Sequence, residues 1–505
     1  MKSRKIGILM HISSLPAKYG IGTMGKEAYE FVDFLEKCHA KIWQILPLNV
    51  TSYGDSPYQS PSSLGLNYYF IDLDSLIAQN LLKEEEVSSI DWGDDHHRVN
   101  YEKIFNSRLK LLRVAYSRFN KNDKQFIGFL KTHKEFNDFA LFMTIKELNS
   151  LKPRTEWDAR FKSYSPELEK KVIKENEETY TFYLWTQFEF IMQYSALKKY
   201  ANSKGISIMS DLPIYVAFDS VEVWKYPELF ELDEKHDPVR VAGCPPDCFS
   251  EDGQLWGNPL YNWDYHKKTN YRWWNNRIKT NLELFDLLRI DHFRGFSGYY
   301  AIPYHDTTAR NGKWVKGPGF DLFKDKLDLN IVAEDLGFID SDFEELMKKT
   351  NYPGMKIVTQ ALDNDDPKNI WRPSNYTYNF FSYTATHDSP TTKQFFDGLN
   401  NQQRELALKI IDDECKKLNV PFSRKFNNEQ LTHVIVELNI ASGARVAMTP
   451  MQDLLAKGKE GRMNFPSTLS TDNWSWRITK EEFNNSQKQI SDLLSRYSDI
   501  YERRQ

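Results

Sequence analysis

A chain of 505 residues, 40% of them hydrophobic and 14% aromatic, can bury a large core: roughly two to four domains, or one large α/β barrel with insertions. Its formal net charge of −4 argues against the general basicity of a nucleic-acid binder. No apolar run approaches the ~18 residues of a membrane span, and the opening "MKSRKIGILMHISS" has too short an apolar part for a signal peptide, so a reduced, cytoplasmic setting with no membrane or nucleic-acid partner is expected.

In chain order, eight apolar, β-branched runs end in polar, Gly or Pro residues. They are "KIGILMHISSLP" from residue 5, "KIWQILPL" at 41–48, "GISIMSDLPIYV" at 205–216 and "FDLLRIDHF" at 285–293. Then follow "NIVAEDLG" at 330–337, "MKIVTQAL" at 355–362, "FFSYTATHD" at 380–388 and "ARVAMTPMQDLL" at 444–455. Continuous apolar runs suit strands buried on both faces of a parallel sheet. Helical stretches separate several of them. "GKEAYEFVDFLEKCHAK" places Tyr29, Phe31, Val32 and Leu35 on one face, and "TYTFYLWTQFEFIMQYSALKKYANSKG" ends in lysines and Gly205, a C-terminal stop signal. Strand and helix alternating eight times predict a (β/α)8 TIM barrel. A doubly wound sheet is the alternative, but no Gly-rich phosphate fingerprint follows the first strand.

The gaps between strands are uneven. One catalytic barrel domain over 1–505 is expected to carry large, mostly helical insertions: about 50–180 after the second strand, 217–275 after the third, and 390–440 after the seventh. The first is rich in Lys between about 75 and 175. Four cysteines are present: Cys38, Cys244, Cys248 and Cys415. Cys244 and Cys248, in "VAGCPPDCFS", lack the further ligands a zinc site needs, and read as loop cysteines open to thiol reagents. No metal is expected.

A barrel of this kind carries its active site at the C-terminal strand ends. Asp211 ends the third run, Asp291 the fourth with Arg289 before it and His292 after, Glu334 and Asp335 the fifth, and His387 and Asp388 the seventh; Gln452 and Asp453 follow the eighth. Each carboxylate alone can cap a helix or pair with a base. A ring of them at one mouth costs stability, because like charges raise one another's pKa. Retaining glycoside cleavage uses such a set: an ionised nucleophile and a protonated acid ~5–5.5 Å apart. Asp291 beside Arg289 is expected to stay ionised, as a nucleophile must. Glu334 has no neighbouring base and is expected to hold its proton, as an acid must. Arg294 reads as a structural salt-bridge partner.

"RIDHFRGF", "AEDLG" and "THD" resemble the α-amylase-like clan. "ILMHISSLPAKYGIGTMG", "SPYQSPSSLGLNYYFIDL", "DLPIYVAFDSVEVW", "PPDCFSEDGQLWGNPLYNW" and "NFPSTLSTDNWSWR" resemble one branch of it, the 4-α-glucanotransferases called amylomaltases or disproportionating enzymes, from residue 6 to residue 477. The resemblance implies a cofactor-free transferase moving α-1,4-glucan segments between maltooligosaccharides in starch, glycogen or maltose metabolism. It implies Asp291 as nucleophile, Glu334 as general acid/base and Asp388 as the carboxylate that stabilises the transition state. Arg289 and His387 correspond to residues that flank the reacting glucose, and His292 takes a supporting place.

Beside this, Ser56 and Tyr58 lie just after the second strand, where a phenol stacks on a donor sugar. "GQLWGNPLYNW" reads as a loop offering Trp256 as a flat apolar face with Gln254 and Asn258 as amide partners. Asn464 is expected near the cleft, and Trp474 and Trp476 in packing. Asp211 is expected near the cleft floor with Tyr215, as a sugar contact or as a structural group. The seventh motif departs from the family pattern: "ATHDSPTT" has Ala385 where Gly is usual and Ser389 where Asn is usual, which leaves the shape of that loop open. Hydrolysis with water as acceptor uses the same carboxylates. A silent glucan-binding protein would lack one of them. A debranching fusion would need a further glucosidase domain, for which this length leaves no room.

Overall fold

The computed structural model describes residues 3–246 and 250–504. Twelve strands are present among them: β1 Lys5–Leu9, β2 Ile42–Ile45, β3 Ser207–Leu212, β4 Arg240–Cys244, β5 Gln254–Pro259, β6 Leu287–Ile290, β7 Gly298–Pro303, β8 Lys313–Lys316, β9 Ile331–Ala333, β10 Gly354–Ile357, β11 Phe380–Tyr383 and β12 Val446–Pro450. Eight form one parallel sheet in the order β10-β11-β12-β1-β2-β3-β6-β9; seven fall within the predicted runs, and β10 begins one residue before its run. The ends of this sheet meet. The Ala333 N–H donates to the Pro353 carbonyl at 2.9 Å, and the Met355 N–H donates to Asp335 Oδ1 at 2.6 Å. The strands are therefore a (β/α)8 barrel.

The barrel interior is packed side chain against side chain. Gly7 faces Met448 across the β1–β12 register, and a Cβ at Gly7 would stand 2.1 Å from the Met448 sulfur. Ile42, Met209, Val332, Met355, Phe381, Tyr383 and Met448 make one buried cluster there. Outside, helix Lys26–Lys37 buries Ala28, Phe31, Val32, Phe34 and Leu35, and the Phe31 ring lies 5.1 Å from Trp43 of β2. The helical spacing predicted this face. Helix Glu177–Ser203 ends just before Gly205, whose φ of 71° is of the left-handed kind glycine tolerates.

The insertions differ from expectation in two respects. The segments between β2 and β3 and between β11 and β12 are helical, and the latter carries a satellite core around Leu408, Ile411, Leu431 and Ile435. The segment after β3 instead holds β4 and β5, which join β7 and β8 in a second, antiparallel sheet, β5-β4-β7-β8. "GQLWGNP" is thus strand β5, not a loop. β7 and β8 come from a further excursion after β6 that the sequence reading did not separate. Cys248 lies outside the described residues. Among the described residues no helix is long and apolar enough to cross a membrane.

Candidate active site

Asp211 of β3 and Arg289 of β6 are register partners on adjacent parallel strands, so their side chains project from the same face. They meet as an ion pair, Arg289 Nη1 donating to Asp211 Oδ2 at 2.5 Å, and the same Nη1 reaches Asp291 Oδ1 at 3.1 Å. Arg289 Nε points at the Met355 sulfur, 3.2 Å away. Burial opposes the guanidinium's charge, but Asp211, Asp291 and Glu334 outweigh it and hold its pKa above the usual range. Arg289 is thus a fixed positive charge beneath the mouth.

Asp291 follows β6 directly, its N–H bonded to the Leu212 carbonyl at 3.0 Å and its side chain 26% exposed. Burial pushes its carboxyl up from the usual aspartate range; Arg289 pulls it back, and Asp211 and Asp388 add to the push. Arg289 does less for Asp291 than the sequence suggested, because its shorter bond goes to Asp211.

Glu334 follows β9. Its Oε2 accepts the His292 N–H at 2.7 Å and its Oε1 accepts the Leu336 N–H at 2.8 Å. His292 has φ 47°, a left-handed conformation that turns its amide toward Glu334. Burial is the largest influence on Glu334. With the charge of Asp291 it outweighs Arg289 and the two amides, and brings the carboxyl up to about 7. Burial raises both carboxyls, but Arg289 donates a hydrogen bond to Asp291, whereas Glu334 accepts only from backbone amides, the kind of difference in surroundings that an acid and a nucleophile need.

Asp388 lies beyond β11. The Asn464 amide donates to its Oδ1 at 2.7 Å, and His387 Nε2 stands 3.2 Å from its Oδ2. Burial opposes its ionisation, but His387 and Asn464 outweigh that and bring it down to about 2. The side chain is 45% exposed, so solvent screens part of this pull. The "THDSP" turn is closed by Ser389 Oγ accepting the Thr386 N–H at 2.9 Å, and Arg462 donates to the Asp388 carbonyl at 3.1 Å. Ser389 therefore serves the turn in this chain.

Tyr58 ties these groups together. Its hydroxyl donates to Asp211 Oδ2 at 2.7 Å and so accepts from His387 Nε2 at 2.9 Å. Its ring stacks on His387 with centroids 5.4 Å apart, and Trp474 packs 5.6 Å away. Ser56 Oγ accepts the Tyr58 N–H at 3.2 Å and holds its backbone. On the other rim Trp256, half-buried, donates to Gln254 Oε1 at 3.0 Å and meets the His292 ring edge-on at 5.0 Å. Asn258 is turned away, its amide donating to the Val216 carbonyl at 2.8 Å.

The family model described as 4-alpha-glucanotransferase matches residues 10–482. A 4-alpha-glucanotransferase of Clostridium butyricum is 44% identical over 501 residues, covering 98% of this chain and 100% of that one. The chain belongs to the 4-alpha-glucanotransferase family. The solved structure of an amylomaltase from Streptococcus agalactiae in complex with acarbose is 40% identical, with a TM-score of 0.92 over 99% of both chains. An amylomaltase structure from Corynebacterium glutamicum, only 17% identical, shares the fold at a TM-score of 0.80 over 98% of this chain and 75% of that one. The enzyme is a 4-alpha-glucanotransferase of the α-amylase-like clan, acting in carbohydrate metabolism.

Within this glucanotransferase not every carboxylate of the sequence-level ring faces the mouth. Asp335 is spent on closing the barrel. Asp453 is fully buried and accepts from Thr384 Oγ1 at 2.5 Å and from the Thr392 N–H at 2.8 Å. The Asp211 side chain has 0% exposure, so it holds Arg289 and Tyr58 and has no surface to offer a sugar. Gln44 and Tyr383 were not singled out from the sequence. Tyr383 donates to Gln44 Oε1 at 2.9 Å, and Gln44 reaches Asp211 Oδ1 at 3.4 Å. Gln44 lies mid-strand as an isolated polar group between Trp43 and Ile45, the one signal that marked it, whereas Tyr383 ends β11 between Ser382 and Thr384. Asp211→Asn leaves a buried guanidinium half-paired. It is expected to cost about 3–5 kcal/mol of stability, measured by urea unfolding; a loss below about 1 kcal/mol would place the anchor of Arg289 elsewhere.

Proposed function

We propose that Asp291, Glu334 and Asp388 carry a retaining, double-displacement transfer of α-1,4-glucan segments, with maltooligosaccharides or starch- and glycogen-derived glucans as donor and acceptor and no cofactor. Asp291 attacks the anomeric carbon while Glu334 protonates the departing O4, giving a β-linked glycosyl-enzyme and a free glucan. The 4-hydroxyl of an acceptor then gives its proton to Glu334 and displaces Asp291, restoring an α-1,4 bond. Asp388, kept ionised by His387 and Asn464, offsets positive charge on the reacting sugar. Arg289 and His387 position these groups, His292 holds Glu334 through its backbone, and Tyr58, Trp256 and Gln254 line the approach.

The observation that carries this reading is the division of environment between the two carboxyls. Arg289 touches Asp291, whereas Glu334 is held by backbone amides alone and keeps its proton up to about 7. The test is maltotriose as sole substrate. Transfer gives free glucose together with a ladder of longer chains. Products no longer than maltotriose would mean that water is the acceptor and would overturn the proposal.

A further inference from the structure

The chain leaving Glu334 makes a short excursion before helix Ser341–Thr350, and it carries a largely exposed aromatic side chain. Phe338 is 62% exposed. Its ring stacks on Trp314 of β8, which is itself 41% exposed, with centroids 6.1 Å apart and planes 28° from parallel. Two large aromatics side by side in water cost free energy unless something uses the surface.

This pair is built on a buried support. The Arg294 guanidinium lies 3.9 Å from the Trp314 ring centroid and 5.3 Å from that of Phe338. Arg294 donates to Asp340 Oδ2 at 2.7 Å and to the Gly298 carbonyl at 3.0 Å, and only 3% of the residue is exposed. Asp340 in turn caps helix Ser341–Thr350 by accepting the Phe343 N–H at 2.9 Å. Arg294 therefore pins the far end of the excursion, and Gly337, at φ 89°, supplies the bend before Phe338. The salt bridge expected of Arg294 exists, and it holds an exposed aromatic platform in place.

The platform stands close in the chain to the proposed acid/base. Phe338 is four residues beyond Glu334, so their Cα atoms are at most ~14 Å apart. Glu334 exchanges its proton with O4, the first atom of the leaving and incoming chains. The excursion that carries Phe338 thus starts from the residue that meets the first atom of the acceptor chain. Glucose rings present flat C–H faces that stack on aromatic faces, and a rigid stack ordered in advance loses little entropy on binding.

We propose that Trp314 and Phe338 form an acceptor subsite that stacks on a glucose residue of the incoming α-1,4-glucan beyond its first ring; this rests on the transfer reaction proposed above. The subsite makes the enzyme prefer longer acceptors without touching the reacting atoms. The experiment fixes α-maltotriosyl fluoride as donor and compares labelled glucose with labelled maltohexaose as acceptor, in the wild type, Phe338→Ala, Trp314→Ala and Phe338→Tyr. In the alanine variants the KM for maltohexaose is expected to rise about 5–10-fold, the KM for glucose to change less than about twofold, and Phe338→Tyr to behave as wild type. Equal changes for both acceptors, or none for either, would overturn the subsite. A wild type that transfers to neither acceptor would overturn the transfer reading itself, and the subsite with it.

Discussion

Asp291→Asn is expected to lower the rate of maltotriose disproportionation by ~10⁴-fold or more, the scale on which removal of a catalytic nucleophile acts. The amide has the same shape as the carboxylate but no lone pair basic enough to attack an anomeric carbon. The fold should survive the change. Asp291 is part-exposed at a strand end, and Arg289 keeps its shorter bond to fully buried Asp211. Thermal unfolding of the variant is therefore expected within a few degrees of wild type, in contrast to Asp211→Asn, which takes charge from a site without solvent. The two substitutions separate chemistry from support. Asp291→Asn removes activity and spares stability; Asp211→Asn acts first on stability. Activity of Asp291→Asn within about tenfold of wild type would remove this residue from the nucleophile's place.

The barrel was legible because its strands are buried on both faces. Such strands write themselves as unbroken runs like "KIGIL" and "RVAMTP", which periodicity picks out. The second sheet was not legible for the opposite reason. β8 exposes Lys313 and Trp314, β5 exposes Leu255, and neither looks like a core strand. The three carboxylates proposed for catalysis could be picked out because each stands where an apolar run stops. What residue type could not show was depth. Asp211 and Asp291 both close such runs, yet Asp211 is the register partner of Arg289 within the sheet, and Asp291 stands beyond the last paired residue of β6. Nor does a sequence state φ. His292 reads as a side chain in a motif, whereas the bond it makes to Glu334 comes from a left-handed backbone. Histidine's raised frequency in that region was the one hint available.

Glu334→Gln is expected to lose roughly 10²–10⁴-fold on maltotriose, the usual worth of a positioned proton donor. The same variant should form glycosyl-enzyme from α-maltotriosyl fluoride at within about tenfold of the wild-type rate, since fluoride departs without a proton. Azide, which needs no base, should then restore turnover and give an α-linked glycosyl azide. The pH dependence follows from the same group. In the proposed reaction Glu334 acts as the protonated acid, and burial brings its carboxyl up to about 7, so wild-type kcat/KM is expected to fall tenfold per pH unit above that value. On the acid side Asp291 must be ionised; its carboxyl is raised from the usual aspartate range, and activity falls as pH drops through it. Because the two carboxyls interact, the limbs report the pair and not either residue alone. With the fluoride donor the descending limb should vanish in Glu334→Gln. If it persists, another group supplies the proton and Glu334 is held in place for a different purpose; if azide fails to restore turnover while fluoride is still released once per enzyme, the block lies in the second displacement and the glycosyl-enzyme on Asp291 becomes directly observable by mass.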